Sequence, residues 1–463
     1  MESCDAAATM SGERTCARPR TASRRIVTVG DALFPQETVR TNPLLATVVV
    51  VAGGATALWR LSSHAAFTSL FAEDGRIFAA SALTKNYPVA LASPYAGYMH
   101  SGPRTIAAIA AAFPVRDLAA LFVLMAALTH GVVALFGYLA ARQHVSGRVL
   151  QLITPAYLCA APVGFETIDV VANLQWILLP GALLVLLWQP RSWFGVTGGA
   201  LLLLIATTSS PFGLLLLPLV IVRLLHDRST GTLTFSAATV LGIAVQGLVM
   251  LHAPARARGP HITALQVALR YMTRISGQAV VGTQRTEHFS YRGSEEVGIA
   301  GALLVLVLLG VLVMLHAWPG LIVASTALLA SIAFFFVPIY LNAPPPQSAT
   351  DGSRYLVPAS ICYSFALCVI ADATIHARTI SIGRRRIMQG PAAVVSVALV
   401  VVMCLAVATN WRLSSDVQRP VQNWPARVSA AALDCRNRPD NWVERIAISP
   451  SHWFTPVRCI DLR

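Results

Sequence analysis

Residues 117–140 read DLAALFVLMAALTHGVVALFGYLA, and after Asp117 the stretch carries no formally charged side chain. A helix rises about 1.5 Å per residue, so an apolar run of this length covers a hydrocarbon core roughly 30 Å thick. Ten further apolar runs follow the same pattern, at about 43–61, 149–165, 171–188, 194–208, 211–226, 233–252, 297–317, 320–341, 355–376 and 392–410. The two flanking Pro211 are short enough to form one broken helix. Of the 463 residues 55% are hydrophobic and 12% charged, against about 25% charged in soluble domains. The mean hydropathy is +0.62. The expected fold is therefore all-α: a polytopic transmembrane helical bundle of about eleven spans over 43–410, between a polar tail at 1–42 and a second tail at 411–463.

Positive residues near helix ends resist translocation. Arg142, Arg148, Arg191, Arg223, Arg228, Arg378, Arg384, Arg385 and Arg386 all fall on one side if the N-terminus is cytoplasmic, while the short loops 166–170 and 209–211 carry no positive charge. This predicts a multi-pass plasma-membrane protein with a cytoplasmic N-terminus and an extracytoplasmic C-terminus. The net charge of +14 comes from 34 Arg and the single Lys85. No RNA- or DNA-binding motif accompanies it, so nucleic acid is not an expected partner and membrane lipids are. Residues 1–42 lack the apolar core of a cleavable signal, which makes the first span an expected uncleaved anchor behind a disordered tail. Cys4 and Cys16 in that tail read as free thiols.

Three outer segments are long enough to build a site: 62–116, 253–296 and 411–463. In the second, Ile262, Leu265, Leu269 and Met272 recur at helical spacing opposite Gln266, Arg270, Thr273 and Arg274, the pattern of an amphipathic helix lying flat in the membrane interface. Arg270 and Arg274 then either pack on the bundle or touch a lipid phosphate. The tail holds four of the nine Trp residues and two cysteines, Cys435 and Cys459, expected to pair on the oxidising side of a membrane. Cys159, Cys362, Cys368 and Cys404 lie within apolar runs and read as small hydrophobes.

Acids are scarce here, so the stretch Phe71-Ala72-Glu73-Asp74-Gly75 stands out. Asp74 either caps the short helix that follows or, with Glu73, supplies a base able to deprotonate a hydroxyl nucleophile. The same loop adds Tyr95, Tyr98, His100 and Arg104, and Arg presents a planar fork of donors to phosphate. A second group comprises Glu166, Asp169, Asn173, Gln175 and Trp176. On one helix Asp169, Asn173 and Trp176 share a face suited to gripping a sugar, although Asp169 also suits a cap and Trp176 an interfacial anchor. A third group follows Pro344, Pro345 and Pro346: Asp351, Gly352, Ser353, Arg354 and Tyr355, with Arg354 an outer-side cation inviting an anionic partner or a snorkelling anchor. His130 and Gln246 read as buried hydrogen-bonded residues, and Asp372 stands apart near the cytoplasmic side.

A first span, an acidic pair in the first outer loop, many further spans and an outward C-terminal region resemble the glycosyltransferase C superfamily of polyprenyl-phosphate-sugar-dependent membrane enzymes. Phe71 to Gly75, Pro94 to His100 with Pro103 and Arg104, Asn173 to Trp176, Arg354 with Tyr355 and the Cys435 and Cys459 tail look like actinobacterial membrane proteins of that type. The resemblance runs from about residue 43 to the end and rests on short motifs. It implies transfer of a sugar from a polyprenyl-phosphate-linked donor to a cell-envelope acceptor, usually with inversion, with Asp74 as general base and Glu73 its alternate or a metal ligand. Arg104 or Arg354, backed by Arg270 and Arg274, would stabilise the departing phosphate, and some members add a divalent cation. The pair here is Glu then Asp, not the Asp-X-Asp of the family, which leaves the base open. A lipid-linked glycan transporter or flippase, and a non-catalytic membrane scaffold, are the alternatives.

Overall fold

A computed structural model describes residues 28–36, 42–60, 64–168, 170–253, 262–278, 282, 291–342, 353–377, 384–411, 423–450 and 452–463. The chain is an all-α membrane-embedded bundle, and each of the eleven apolar runs overlaps a helix. The helices are α1 (Pro43–Arg60), α2 (Ser101–Ala110), α3 (Leu118–His144), α4 (Arg148–Ala160), α5 (Gln175–Leu187), α6 (Trp193–Ser209) and α7 (Leu217–His226). They continue with α8 (Thr230–His252), α9 (Ala264–Tyr271), α10 (Tyr291–Met314), α11 (Trp318–Asn342), α12 (Leu356–His376), α13 (Arg384–Thr409) and α14 (Trp424–Asp434). Seven of the apolar helices are long enough to cross a membrane: α1, α3, α8, α10, α11, α12 and α13.

Four runs make shorter helices. α4 and α5, of 13 residues each, rise about 20 Å and fall short of the hydrocarbon core. α5 is lengthened by a 3₁₀ turn, Val171–Asn173, and α7 by another, Pro211–Leu216. The break at Pro211 reverses the chain: Ser209, ending α6, bonds to Gly102 of α2, whereas Arg223 of α7 returns to the carbonyls of Leu186 and Trp188 at the far end of α5. The two runs are separate passes.

α12 is the central post, 94% buried along its span, against 22–33% for α1, α8, α10, α11 and α13. The outer helices turn large apolar side chains such as Leu44, Leu201, Leu251 and Val394 outward, as lipid-facing helices do. Where α1 crosses α3, a Cβ on Gly131 would stand 2.1 Å from the Val50 carbonyl oxygen, so only glycine permits that approach. Polar bonds hold the helix ends. Arg60 donates to the carbonyls of Cys159, Ala161 and Trp411. Asp372 accepts from the N–H groups of Ser146 and Gly147, and Gln246 brackets Met99. His130, buried, bonds the Ala126 carbonyl.

The segment read as an amphipathic helix packs one face on the bundle. α9 continues into a π-helical stretch, Met272–Gly277, that buries Val267, Tyr271 and Ile275. The Tyr271 hydroxyl bonds Ser331 of α11, and Ser276 bonds Tyr363 of α12. Leu265 and Leu269, on the apolar stripe of that helix, are exposed at 69% and 38%. The stripe faces lipid because the medium outside is as apolar as the core.

The C-terminal tail forms a small cap. α14 leads into an antiparallel hairpin, β1 (Val443–Ile448) and β2 (Trp453–Arg458), and Cys435 is disulfide-bonded to Cys459. Trp424, fully buried, donates to the Val115 carbonyl at the head of α3.

Candidate functional site

The cap sits on the acidic pair. Ser449, just past β1, pairs with Phe71: its N–H donates to Leu70 and its carbonyl accepts from Ala72. A Cβ on Gly75 would come within 2.6 Å of Ile448 and Thr455, so glycine lets the hairpin close over the loop. Arg76 lies 5.0 Å over the Trp453 ring. Ala72 holds φ of +40°, a left-handed conformation costly for a residue with a Cβ and often found at functional sites.

Beyond that turn the two acids part. Asp74 is 2% exposed, and its oxygens accept from the N–H groups of Val171 (3.1 Å) and Ala172 (2.7 Å). It caps a helix, as one reading allowed, but one that lies 97 residues away in sequence and not its own. Carboxylates are favoured where backbone N–H groups lack intrahelical partners. Asp74 therefore locks the loop after α1 to the head of α5.

Glu73 is half-buried and accepts the Tyr95 hydroxyl at 3.3 Å. Tyr95 and Tyr98 exchange backbone bonds across Ala96 and Gly97, at φ +52° and +85°, a mirror-type turn, and both rings pack against His100. Burial and the neighbouring Glu73 push the Tyr95 hydroxyl up to about 12, so it stays a donor. His100 stacks on Tyr98 with centroids 4.1 Å apart and is 2% exposed. Burial lowers its imidazole to about 3, so it is neutral at physiological pH. Gln175 donates to the Tyr98 hydroxyl at 2.9 Å. Arg104, buried beneath, lies 5.6 Å over the Phe78 ring and donates to Ser81. Burial lowers its guanidinium to about 10, which leaves it cationic at neutral pH.

Arg354 closes the cluster. Its N–H donates to Glu166 Oε2, its Nε stands 3.9 Å from the same oxygen, and Glu73 and Tyr95 lie within its electrostatic reach. Its side chain is 37% exposed, so the cation is open to a ligand. Tyr355 packs edge-on against Trp176 at 4.8 Å, and Trp176 against Phe212. Asn173 donates to the Glu166 carbonyl from the 3₁₀ turn while Trp176 is buried in α5, so the two do not share one open helix face. Asp169, Asp351 and Gly352 lie outside the described residues. Arg270 and Arg274 sit on the α9 segment packed against α10 and α11.

An apolar groove of about 950 Å³ runs beside this cluster between α2, α3, α5 and α6. Gly102, Thr105 and Leu174 line its near end, and Leu174 adjoins the Gln175 that holds Tyr98. The middle is walled by Val132, Phe136 and Leu202, and the far end reaches Trp188, Arg191 and Ser192. Composition and spacing gave no sign of it, because its walls are mostly ordinary apolar residues of four helices. Glu166 was visible as one of a group, but not as the partner of an arginine 188 residues on. Among the described residues no three His, Cys, Asp or Glu side chains gather closely enough to hold a metal ion. No protein-family model, curated protein or solved structure matches the chain.

Proposed function

We propose that the chain is a membrane glycosyltransferase that moves a sugar from a polyprenyl-phosphate carrier to an extracytoplasmic acceptor, with Glu73 as the general base. One observation supports this reading: a half-buried carboxylate, held by a tyrosine and within electrostatic reach of an arginine, belongs to a cluster whose His100, Arg104 and Gln175 lie within two residues of Gly102 and Leu174 at the end of an apolar groove. The acceptor hydroxyl oxygen attacks the anomeric carbon, the bond from that carbon to the phosphate oxygen breaks, and the hydroxyl proton passes to Glu73. The polyprenyl phosphate leaves with the bonding electrons, and Arg354 and Arg104 offset the charge. Tyr98 and Asn173 offer hydrogen bonds to sugar hydroxyls, the buried His100 and Gln175 hold Tyr98, and Tyr355 and Trp176 brace Arg354's neighbourhood. Asp74 is a positioning residue.

A flippase calls for a polar path through the bundle, whereas the groove is walled by Leu, Val and Phe. A scaffold calls for acids turned to bulk solvent, whereas Asp74 is buried and Glu73 half-buried. Mass spectrometry of envelope glycans from a deletion strain tests the reading. The strain should lose one glycosyl unit, regain it with the wild-type chain and fail to regain it with Glu73→Gln. Unchanged glycans in the deletion strain would contradict it.

A further inference from the structure

The hairpin that caps the acidic loop carries a row of stacked cations. Arg445 on β1 and Phe454 on β2 are diagonal neighbours across the pairing of Ala447 with Phe454, and the guanidinium stands 4.6 Å from the ring centroid. Arg76, three residues past Glu73, reaches the same ring at 5.8 Å and the Trp453 ring at 5.0 Å. At the other end of the hairpin Arg438 lies 4.7 Å over Trp442. Arg76, Arg438 and Arg445 are all exposed, and among the described residues none of their side chains has a carboxylate or a hydrogen-bond acceptor.

The charges favour an anion. Stacking on an aromatic face fixes the guanidinium plane, while the N–H donors that lie in that plane stay open to a carboxylate. Arg76 and Arg445 share the Phe454 ring, so they repel each other, and an anion between them removes that cost. The cap's own acids are engaged elsewhere: Asp461 pairs with Arg458, Asp440 with Arg463, and Glu444 accepts the Trp442 indole N–H, while Asp434 ends α14, off the sheet.

We infer that this row binds an acidic glycan, a chain of sugars bearing carboxylates, and that this glycan is the acceptor whose end reaches Glu73. The strands are six residues each, so the row from Arg76 at the turn end to Arg438 at the open end runs on the order of 20 Å, the reach of an oligosaccharide and longer than a single lipid headgroup. Between the cations, Trp442, Trp453 and Phe454 offer ring edges to sugar C–H groups, none of them fully buried. At its near end the row adjoins the site, because Arg76 follows Glu73 in the chain and the hairpin closes over Gly75. The acceptor role rests on the transferase reading, whereas binding is read without transfer.

Calorimetric titration of the full chain in phosphatidylcholine nanodiscs tests it, with an oligogalacturonate as the acidic probe, maltohexaose as the uncharged one and phosphatidylglycerol vesicles as a competing anionic surface. The oligogalacturonate should bind the wild type more tightly than maltohexaose does. Arg76→Gln and Arg445→Gln together should weaken it about tenfold or more, the loss of charge-assisted hydrogen bonds, with Tm unchanged because both side chains are exposed. Wild-type binding by the double variant, maltohexaose binding as tightly as the oligogalacturonate, or phosphatidylglycerol vesicles displacing it would each overturn the assignment. Sugar transfer by a chain that does not bind the oligogalacturonate would overturn the glycan site alone, and binding by a chain that transfers no sugar would uphold the site and remove the transferase reading.

Discussion

A carboxylate serves as a base only if its lone pairs are open to the incoming proton. Asp74 spends both oxygens on backbone donors of the Val171 turn, whereas Glu73 holds one tyrosine hydroxyl and keeps the rest of its valence. The preference for Glu73 rests on this difference, and adjacency in sequence hides it, since the left-handed Ala72 and the π-helical start at Asp74 send the side chains to different partners. His100 makes a separate prediction. Its imidazole titrates near 6.5 in the unfolded chain and near 3 when folded. Between those values the unfolded chain binds the extra proton, so the stability this residue contributes is complete above about pH 6.5 and is lost as pH falls toward 3. The Tm of the solubilised protein should drop between about pH 6.5 and pH 4. His100→Gln should flatten that slope, and an unchanged slope in the variant would remove His100 as its source.

At the scale of elements, every apolar run gave a helix because a backbone in lipid must satisfy its own hydrogen bonds. Which face each helix buries was another matter. Along α9 the Leu265 and Leu269 stripe is more apolar than the Val267 and Tyr271 stripe, yet the latter is buried, since lipid rewards apolar surface as the core does. The acidic pair, the Tyr95 to Arg104 segment and Arg354 were legible as scarce polar groups in an apolar chain. Their partners were not, because Asp74 to Ala172 and Arg354 to Glu166 are contacts between distant segments. The tail's disulfide was legible, but its seat on Phe71 to Gly75 was not, as nothing local in Ser449 or Thr455 announces a partner in the first loop. The bridge closes a loop over a sequence separation of 24, worth roughly 3 kcal/mol to the cap. Replacing Cys435 and Cys459 by Ser should speed proteolysis within the cap and lower transfer, because the Ser449 pairing holds the turn that aims Glu73. A cap that resists protease equally without the bridge would contradict this.

For the whole molecule, the two central helices α5 and α12 carry the site at their N-terminal ends: Gln175 and Trp176 on one, Arg354 and Tyr355 at the head of the other. The lipid-facing helices around them leave the groove alongside. If a lipid chain lies in that groove, Gly198→Phe, whose Cβ would stand 3.6 Å from the Phe136 ring on the groove wall, should raise KM for a polyprenyl donor several-fold while kcat stays near wild type. An unchanged KM would take the donor's chain out of the groove.

The central claim is that Glu73 takes the proton, and the most direct test is the single-turnover rate of purified chains with a panel of polyprenyl-phosphate sugars. Glu73→Gln should keep the wild-type Tm and lose at least about a hundredfold in rate, the contribution typical of a general base. Asp74→Asn should lose Tm first, since its amide can no longer accept both backbone donors. Transfer by Glu73→Gln at the wild-type rate would contradict the account.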